Sequence, residues 1–251
     1  MKRLVTDGSM QVLELLGEHN EFMDSIREIG ILDDRTGHHT SWWSDYRSHP
    51  DLHQSQFTIT NLCISESHPT EHQRKDIKNV LVDNLYDTKQ EDESFDFLWA
   101  HNVFQKEINP IQSLRHWWSI MREDAMLCIS VPLRTYIDDL NRWRTDSYPG
   151  ELYNWNMLTL IQMLAISGFD CYDGHFKFKR GDNFLWASVY KGTQTPMDPY
   201  TTTWYDLAEK ELLPPSLTKC VSQFGHAKIE KVVVEWLDHS LYDLSKESLP
   251  Y

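Results

Sequence analysis

Residues 94 to 132 constrain the fold most strongly, because they read as a strand, a helix and a second strand in direct succession. The apolar run Phe95–Val103 is followed by Pro110, a residue favoured at the start of a helix. Apolar residues then recur at spacings of three and four, which places them on one helix face: Ile111, Leu114, Trp117, Trp118 and Met121. A second apolar run, Ala125–Val131, ends at Pro132. This order predicts two parallel strands of an open α/β sheet, joined by a crossover helix.

The remainder of the first 190 residues continues the alternation of strands and helices. The other expected strands are Met10–Leu16, Phe57–Ile64, Val80–Val82, Phe169–Phe178 and Phe184–Tyr190. The other expected helices are Glu21–Ile29, with Phe22, Ile26 and Ile29 on one side and Gly30 at its end, and Asn154–Ser167, ended by Gly168. The last two strands have no helix between them and are expected to pair as an antiparallel hairpin. The prediction is a doubly wound, mostly parallel seven-stranded Rossmann-like sheet with an antiparallel terminal hairpin.

The sequence divides into an α/β domain over residues 1–192 and a C-terminal extension over residues 193–251. Residues 32–56 are too long for an ordinary loop and are expected to form an ordered insertion or lid. The extension begins with a polar linker over residues 193–203 and contains a long helical pattern over residues 228–244. The apolar face of that helix could pack on the domain or, through residues 204–251, contact a second copy or a protein partner.

Composition restricts the class of protein. The net charge of −14 argues against a protein that binds nucleic acid or anionic membranes through charge alone. There is no apolar run long enough to cross a membrane, and the first ten residues lack the apolar core of a signal peptide. These features predict a cytoplasmic protein. Four widely separated cysteines are expected to be reduced thiols: Cys63, Cys128, Cys171 and Cys220.

The segment from residue 38 to residue 53 is rich in histidine and tryptophan. Its possible metal ligands are His38, His39, His49 and His53. These residues form no paired ligand signature, and Pro50 interrupts the helical spacing of His49 and His53, so no metal site is expected. A lid over an acceptor pocket, or an ordinary ordered insertion, fits the segment better.

Residues 10–192 resemble the class I S-adenosylmethionine-dependent methyltransferases. The matching positions around the fourth and fifth strands are Asp96, Ala100, His101, Val103, Asn109, Pro110, Leu114, Trp118, Val131 and Pro132. Further matches follow at Trp155, Leu160, Leu164, Gly168 and Phe169, and in the final strand FLWASVYK. The resemblance implies a Rossmann-like fold, S-adenosylmethionine as cofactor and a small-molecule acceptor.

The resemblance also implies which positions meet the cofactor. In the family, an acid ends the first strand and a glycine-rich turn follows it. The predicted first strand places here the acid Glu14 and the turn residues Gly17, Glu18 and Asn20. The acid beyond the second strand would be Glu66, and the third strand ends at Asp83 and Asn84 beside the adenine. His101 would be a general base for a hydroxyl or amine acceptor.

Each of these residues has an alternative that the sequence leaves open. Glu14 could form an ion pair, Asp83 could be a turn residue, and His101 could be a structural histidine. Only one glycine stands in the predicted turn, whereas the family has several there. Two functions therefore remain. One is methyl transfer to a small hydroxyl- or amine-bearing acceptor, recognised by residues 32–56 and 133–150. The other is a catalytically inactive methyltransferase-like fold that acts as a binding, assembly or structural module.

Overall fold

The computed structural model describes residues 26–33, 58–64, 77–132, 153, 155–179 and 184–224. Its strands are β1 (Glu28–Asp33), β2 (Thr58–Cys63), β3 (Ile77–Leu81), β4 (Phe95–His101), β5 (Met121–Pro132), β6 (Phe169–Lys179) and β7 (Phe184–Lys191). Its helices are α1 (Pro110–Ile120), α2 (Met157–Ile166), α3 (Trp204–Glu209) and α4 (Pro215–Phe224), and a 3₁₀ turn spans Phe104–Lys106.

The described strands form one seven-stranded sheet in the order β3-β2-β1-β4-β5-β7-β6. Strands β1 to β5 are parallel to one another. Strand β7 lies between β5 and β6 and runs antiparallel to both. The predicted doubly wound sheet with an antiparallel terminal hairpin is therefore confirmed. The prediction of parallel strands on either side of helix 110–120 is confirmed as well.

The strand between β2 and β4 comes from a segment that the sequence pattern assigned to a helix. Residues 28–30 were expected to end the helix Glu21–Ile29 at Gly30, but they belong to β1. Ile29, Gly30, Ile31 and Leu32 are all buried, so this strand is covered on both faces and lacks the alternation that marks a half-exposed strand. A Cβ atom on Gly30 would lie 2.4 Å from Leu98 Cδ2, which explains why glycine stands inside a strand.

Two other consequences follow from the position of β1. The segment predicted as the first strand, Met10–Leu16, lies outside the described residues and is not the strand beside β4. Leu32 and Asp33 end β1, so the insertion predicted for residues 32–56 can begin only at residue 34. The rest of that insertion, including the histidines at 38–53, also lies outside the described residues.

Helix α1 follows its sequence signals closely. Asn109 is its N-cap and accepts a hydrogen bond from the Gln112 N–H at 3.2 Å, and Pro110 occupies the first turn. Leu114 and Trp117 are fully buried, whereas Ile111 and Trp118 pack at the edge of the core. Met121 was expected on the same helix face, but it is the first residue of β5.

The other predicted elements are present with shifted ends. The third strand covers residues 77–81 instead of 80–82, and α2 begins at Met157 because Asn156 caps it through the Thr159 N–H. Gly168 follows α2 with a φ of 93°, a conformation that glycine adopts without strain.

Part of the C-terminal extension packs on the α/β body. Leu207, Leu212, Leu213, Leu217 and Val221 lie in the same buried cluster as the sheet and α2. These apolar residues of α3, α4 and the connection between them are therefore buried inside the fold. The helix predicted for residues 228–244 lies outside the described residues, and the domain boundary at residue 192 stays a prediction.

Three cysteine side chains are described, and none of them is exposed to solvent. Cys63, Cys128 and Cys171 are buried, and burial raises the pKa of Cys128 and Cys171 above the ordinary thiol range. In the described segments, no helix has both the length and the apolar character to cross a bilayer.

The carboxylate of Asp96 joins three strands at the amino edge of the sheet. Its Oδ2 accepts the backbone N–H groups of Arg27 and Glu28, each at 2.8 Å, and its Oδ1 accepts Arg122 Nη1 at 2.8 Å. Burial alone would raise the pKa of Asp96, but the Arg122 hydrogen bond and the two N–H donors outweigh it and hold that pKa below its ordinary value. The contact fixes the start of β1 against β4 and β5.

Asp96→Asn is expected to lower the free energy of unfolding by about 2 kcal/mol, because an amide cannot satisfy both the guanidinium and the two backbone donors. Urea unfolding followed by tryptophan fluorescence measures the change. Asp92→Asn, at an exposed turn, is the matched control and should change stability by less than about 0.5 kcal/mol. Equal effects of the two substitutions would contradict the role given to Asp96.

His116 holds the segment between β3 and β4 against α1. Its Nε2 receives the Thr88 backbone N–H at 2.9 Å and lies 2.8 Å from Thr88 Oγ1. Because this nitrogen accepts a hydrogen bond, the imidazole is neutral and carries its proton on Nδ1. Burial lowers the pKa of His116, although the nearby carboxylates of Asp87 and Asp92 partly oppose the shift.

A lowered pKa in the folded state means that the unfolded chain binds more protons just below pH 6.5, so His116 should make stability fall as pH decreases through that region. His116→Gln, which does not titrate, should lose this component of the slope. Chemical unfolding of both proteins at pH 7.5, 6.5 and 5.5 tests this. Parallel stability curves for the two proteins would refute it.

Candidate functional site

The strand order places a crevice at the carboxyl ends of β1 and β4. Chain connections leave these neighbouring strands in opposite directions, β1 leading to β2 on one side and β4 to β5 on the other. Ligands of open α/β sheets bind at such a switch point. The last residue of β1 is Asp33, and β4 ends at His101.

His101 is packed as a core residue. It is 6% exposed, and its ring packs against two indoles that also contact each other: the His101 ring centroid lies 6.0 Å from Trp99 and 5.2 Å from Trp186, and the two indole centroids are 5.8 Å apart. Its Nδ1 is hydrogen-bonded to the Ser130 hydroxyl on β5. These contacts favour the structural alternative for His101, and its role as a general base stays a prediction.

Asn102 and Gln105 form a polar turn directly after β4. Asn102 has a φ of 56°, a left-handed conformation that asparagine tolerates better than most residues, and its N–H donates to the Ser130 carbonyl at 3.0 Å. Gln105 is 1% exposed, and its Nε2 donates to both Asn102 O (2.9 Å) and Asn102 Oδ1 (2.6 Å). The sequence analysis missed both residues. A strand followed by asparagine is a signal for such a turn.

The predicted adenine-side residues lie farther along the same edge. Asp83 and Asn84 follow β3, which is separated from β1 by β2. Asp83 is exposed, whereas the Asn84 side-chain oxygen is buried and makes no hydrogen bond with the part of the chain that the structure describes. Glu66, predicted beyond β2, lies outside the described residues, and its contact with the ribose stays a prediction.

Strand β1, which pairs with β4, ends in an acid. Its last residue is Asp33, next to Cys63 of β2 in the strand register. The prediction assigned the family's first-strand acid to Glu14, because Met10–Leu16 was taken as the first strand. Glu14, Gly17, Glu18 and Asn20 lie outside the described residues, and their contacts with the cofactor stay a prediction.

Aromatic side chains and a buried carboxyl group follow the polar turn. Phe104 stacks on Trp155 with ring centroids 4.7 Å apart, and the Tyr153 hydroxyl donates to the Ile108 carbonyl at 3.0 Å. Burial raises the pKa of Glu107, while a hydrogen bond from the Ser113 hydroxyl opposes part of the shift. Glu107 therefore keeps a proton more readily than an exposed glutamate.

A metal centre is not formed by the side chains that the structure describes. Nowhere in residues 26–33, 58–64, 77–132, 153, 155–179 and 184–224 do three or more His, Cys, Asp or Glu side chains come together as possible ligands. The histidines at 38, 39, 49 and 53 are outside these ranges, so the metal hypothesis for that segment is not tested.

Comparison with solved structures identifies the fold. A Haloferax volcanii protein assigned as a methyltransferase, solved in complex with the Trm112 methyltransferase activator, has a TM-score of 0.51 at 12% identity over 74% of this chain and 95% of its own. An S-adenosylmethionine-dependent methyltransferase from Archaeoglobus fulgidus gives 0.51 at 13% identity, over 73% and 94%.

A third similar structure contains a bound ligand. The 1,6-didemethyltoxoflavin-N1-methyltransferase of Burkholderia thailandensis, solved with 1,6-didemethyltoxoflavin and S-adenosylhomocysteine, gives 0.50 at 14% identity, over 74% of this chain and 77% of its own. No protein-family model and no curated protein sequence matches the chain. At these identities the similarity shows a class I methyltransferase-like fold.

His101→Ala should lower the free energy of unfolding by about 3 kcal/mol, because it leaves a cavity beside Trp99 and Trp186 and an unpartnered Ser130 hydroxyl. Ser130→Ala removes the hydrogen bond alone and should cost about 1 kcal/mol. Thermal and urea unfolding of the two variants measure both effects. An unchanged stability of His101→Ala would show that the imidazole is not a packed core group.

Proposed function

We propose that this protein binds S-adenosylmethionine at the carboxyl ends of β1 and β4 and transfers its methyl group to a small hydroxyl- or amine-bearing acceptor. The observation that carries the proposal is the end of β1 in an acid, Asp33, at the switch point of the sheet. The class I methyltransferase-like fold supports it, since the resemblance assigns the cofactor's amino acid part to an acid at this position.

The residues after β1 offer one glycine for a cofactor-binding turn. The sequence continues as Asp34, Arg35, Thr36 and Gly37, so that a glycine stands four residues beyond Asp33. Glycine in this turn would allow a close approach of the backbone to a ligand. Only one glycine is available, as in the turn at residues 14–20.

The polar groups around the crevice suit the cofactor's chemistry. Asp33 would accept hydrogen bonds from its ammonium group, and exposed Asp83, with Asn84, would meet the adenine amino group. When bound, S-adenosylmethionine supplies an electrophilic methyl group on a sulfonium. The protein's own contribution would be to hold donor and acceptor in line and to exclude water.

Acceptor recognition belongs to residues beyond the carboxyl edge. We assign it to residues 34–56 and 133–150, the segments in which the sequence analysis expected acceptor recognition. His101 is not given a proton-transfer step here, because the indoles and Ser130 occupy its surroundings. Proton removal from the acceptor would then need another group or water.

The second candidate is a fold that has lost methyl transfer and acts as a binding or assembly module. It is favoured by the loss of glycines after β1 and by the burial of His101. A protein partner or a second copy could then bind through the part of residues 204–251 that does not pack in the core. The activator complex of the Haloferax volcanii protein is a precedent for such an assembly on this fold.

Calorimetric titration of the full chain with S-adenosylmethionine tests the proposal. We expect saturable binding that weakens about tenfold or more in Asp33→Ala and in Asp83→Ala, since each removes a hydrogen bond to a charged or polar ligand group. Glu14→Ala should bind like the wild type. Asp92→Ala serves as an exposed control.

The possible results separate the two functions. Absence of heat and of a thermal shift at millimolar cofactor would overturn the enzyme proposal and support the binding module. Loss of affinity in Glu14→Ala but not in Asp33→Ala would restore the earlier position of the first-strand acid. Solution mass, with and without residues 225–251, tests the assembly candidate.

A further inference from the structure

In the turn after β4, Gln105 and Asn102 are joined by two hydrogen bonds whose direction can be assigned. We call this pair of residues the clamp. Both hydrogens of the Gln105 amide are directed at Asn102, one to its backbone oxygen and one to its side-chain oxygen. The backbone oxygen cannot donate, so the Gln105 nitrogen, and not its oxygen, must face it. This fixes the orientation of the Gln105 amide without reference to any other group.

The orientation of Gln105 determines that of Asn102. Since Gln105 Nε2 donates to Asn102 Oδ1, the Asn102 amide nitrogen lies on the opposite side of the carboxamide. That nitrogen makes no hydrogen bond within the described part of the chain, and Asn102 is partly exposed. The clamp therefore leaves two N–H donors of Asn102 available at the carboxyl end of β4.

The clamp is held by buried and strained features that a solvent-facing turn would not need. Gln105 is almost fully buried, and its Oε1 has no hydrogen-bond partner among the described residues, which is a cost to folding. Asn102 adopts a left-handed conformation, and its N–H is tied to Ser130 of β5. Unfavourable features of this kind concentrate at ligand sites.

We propose that Gln105 is a positioning residue, which presents the Asn102 amide as a hydrogen-bond donor to an oxygen atom of the ligand bound at the switch point. The inference rests on the proposed binding of S-adenosylmethionine there. It adds a direction to that contact: the ligand atom facing the end of β4 is an oxygen of a carboxylate or hydroxyl group, and this oxygen accepts the hydrogen bond. Asn102 would contact the ligand, and Gln105 would act through Asn102.

Isosteric variants test the direction of this hydrogen bond. Gln105→Glu keeps the shape but places a carboxylate against two oxygens of Asn102, and Asn102→Asp replaces the N–H donors with an acceptor. Each should weaken S-adenosylmethionine binding at least fivefold in calorimetry. Asn109→Asp and Gln112→Glu make the same chemical changes at exposed positions of the α1 N-terminus and should leave the affinity unchanged.

A comparison of two ligands identifies the oxygen. 5′-Methylthioadenosine lacks the amino acid part of the cofactor, so a loss seen only with S-adenosylmethionine assigns the contact to the carboxylate. A loss with both ligands assigns it to the ribose. Either result supports the proposal, whereas wild-type affinity for both ligands in Gln105→Glu and Asn102→Asp overturns it.

Two measurements separate the clamp from a merely structural role and from the proposed function. Gln105→Leu should weaken ligand binding at least fivefold at a temperature where circular dichroism shows it folded. An affinity loss that disappears once unfolded protein is removed would mean a structural role alone. If the wild type binds no cofactor, the proposed function fails. Exchange of the Gln105 side-chain amide protons, measured by NMR, tests the clamp separately. Slow exchange supports the clamp, and rapid exchange refutes the clamp.

Discussion

The Asp96 carboxylate determines where β1 begins, and much of the remaining geometry depends on this contact. By accepting the N–H groups of Arg27 and Glu28, it sets the first residue of β1 against β4, while Arg122 connects it to β5. A strand that begins at Glu28 and remains paired with β4 through Leu32 must end near Asp33. The interaction at the amino edge therefore decides which acid stands at the carboxyl edge, where ligands bind.

The carboxyl edge combines a rigid interior with a polar surface. His101 packs against two indoles and is hydrogen-bonded to Ser130, and the next residue, Asn102, donates its N–H to the carbonyl of the same serine. Two contacts to one residue of β5 hold the end of β4 in place. Such an arrangement suits a site that works by positioning, since the turn beyond it begins from a fixed point.

The sequence predicted elements well where local signals agree with tertiary packing. Helix α1 has an asparagine N-cap, a proline in its first turn and apolar residues at helical spacing, and the structure uses each of these. It predicted β1 poorly, because burial on both faces removes alternation, and Ile26 and Ile29 coincide with helical spacing by chance. The acid at the end of the strand beside β4 is Asp33, a residue that the sequence analysis did not single out.

The sequence by itself determined the class of fold, because local patterns of apolar residues predict the order of strands, crossover helix and final hairpin. It also determined the net negative charge of the protein and the spacing of the residues around β4 that resemble the methyltransferase family. Only the tertiary structure decided which segment fills the centre of the sheet, that His101 is buried against Trp99 and Trp186, and that Gln105 orients Asn102. The first two depend on contacts between residues of different strands, and the third depends on the direction of a hydrogen bond. The periodicity of one segment contains no information on such contacts or directions.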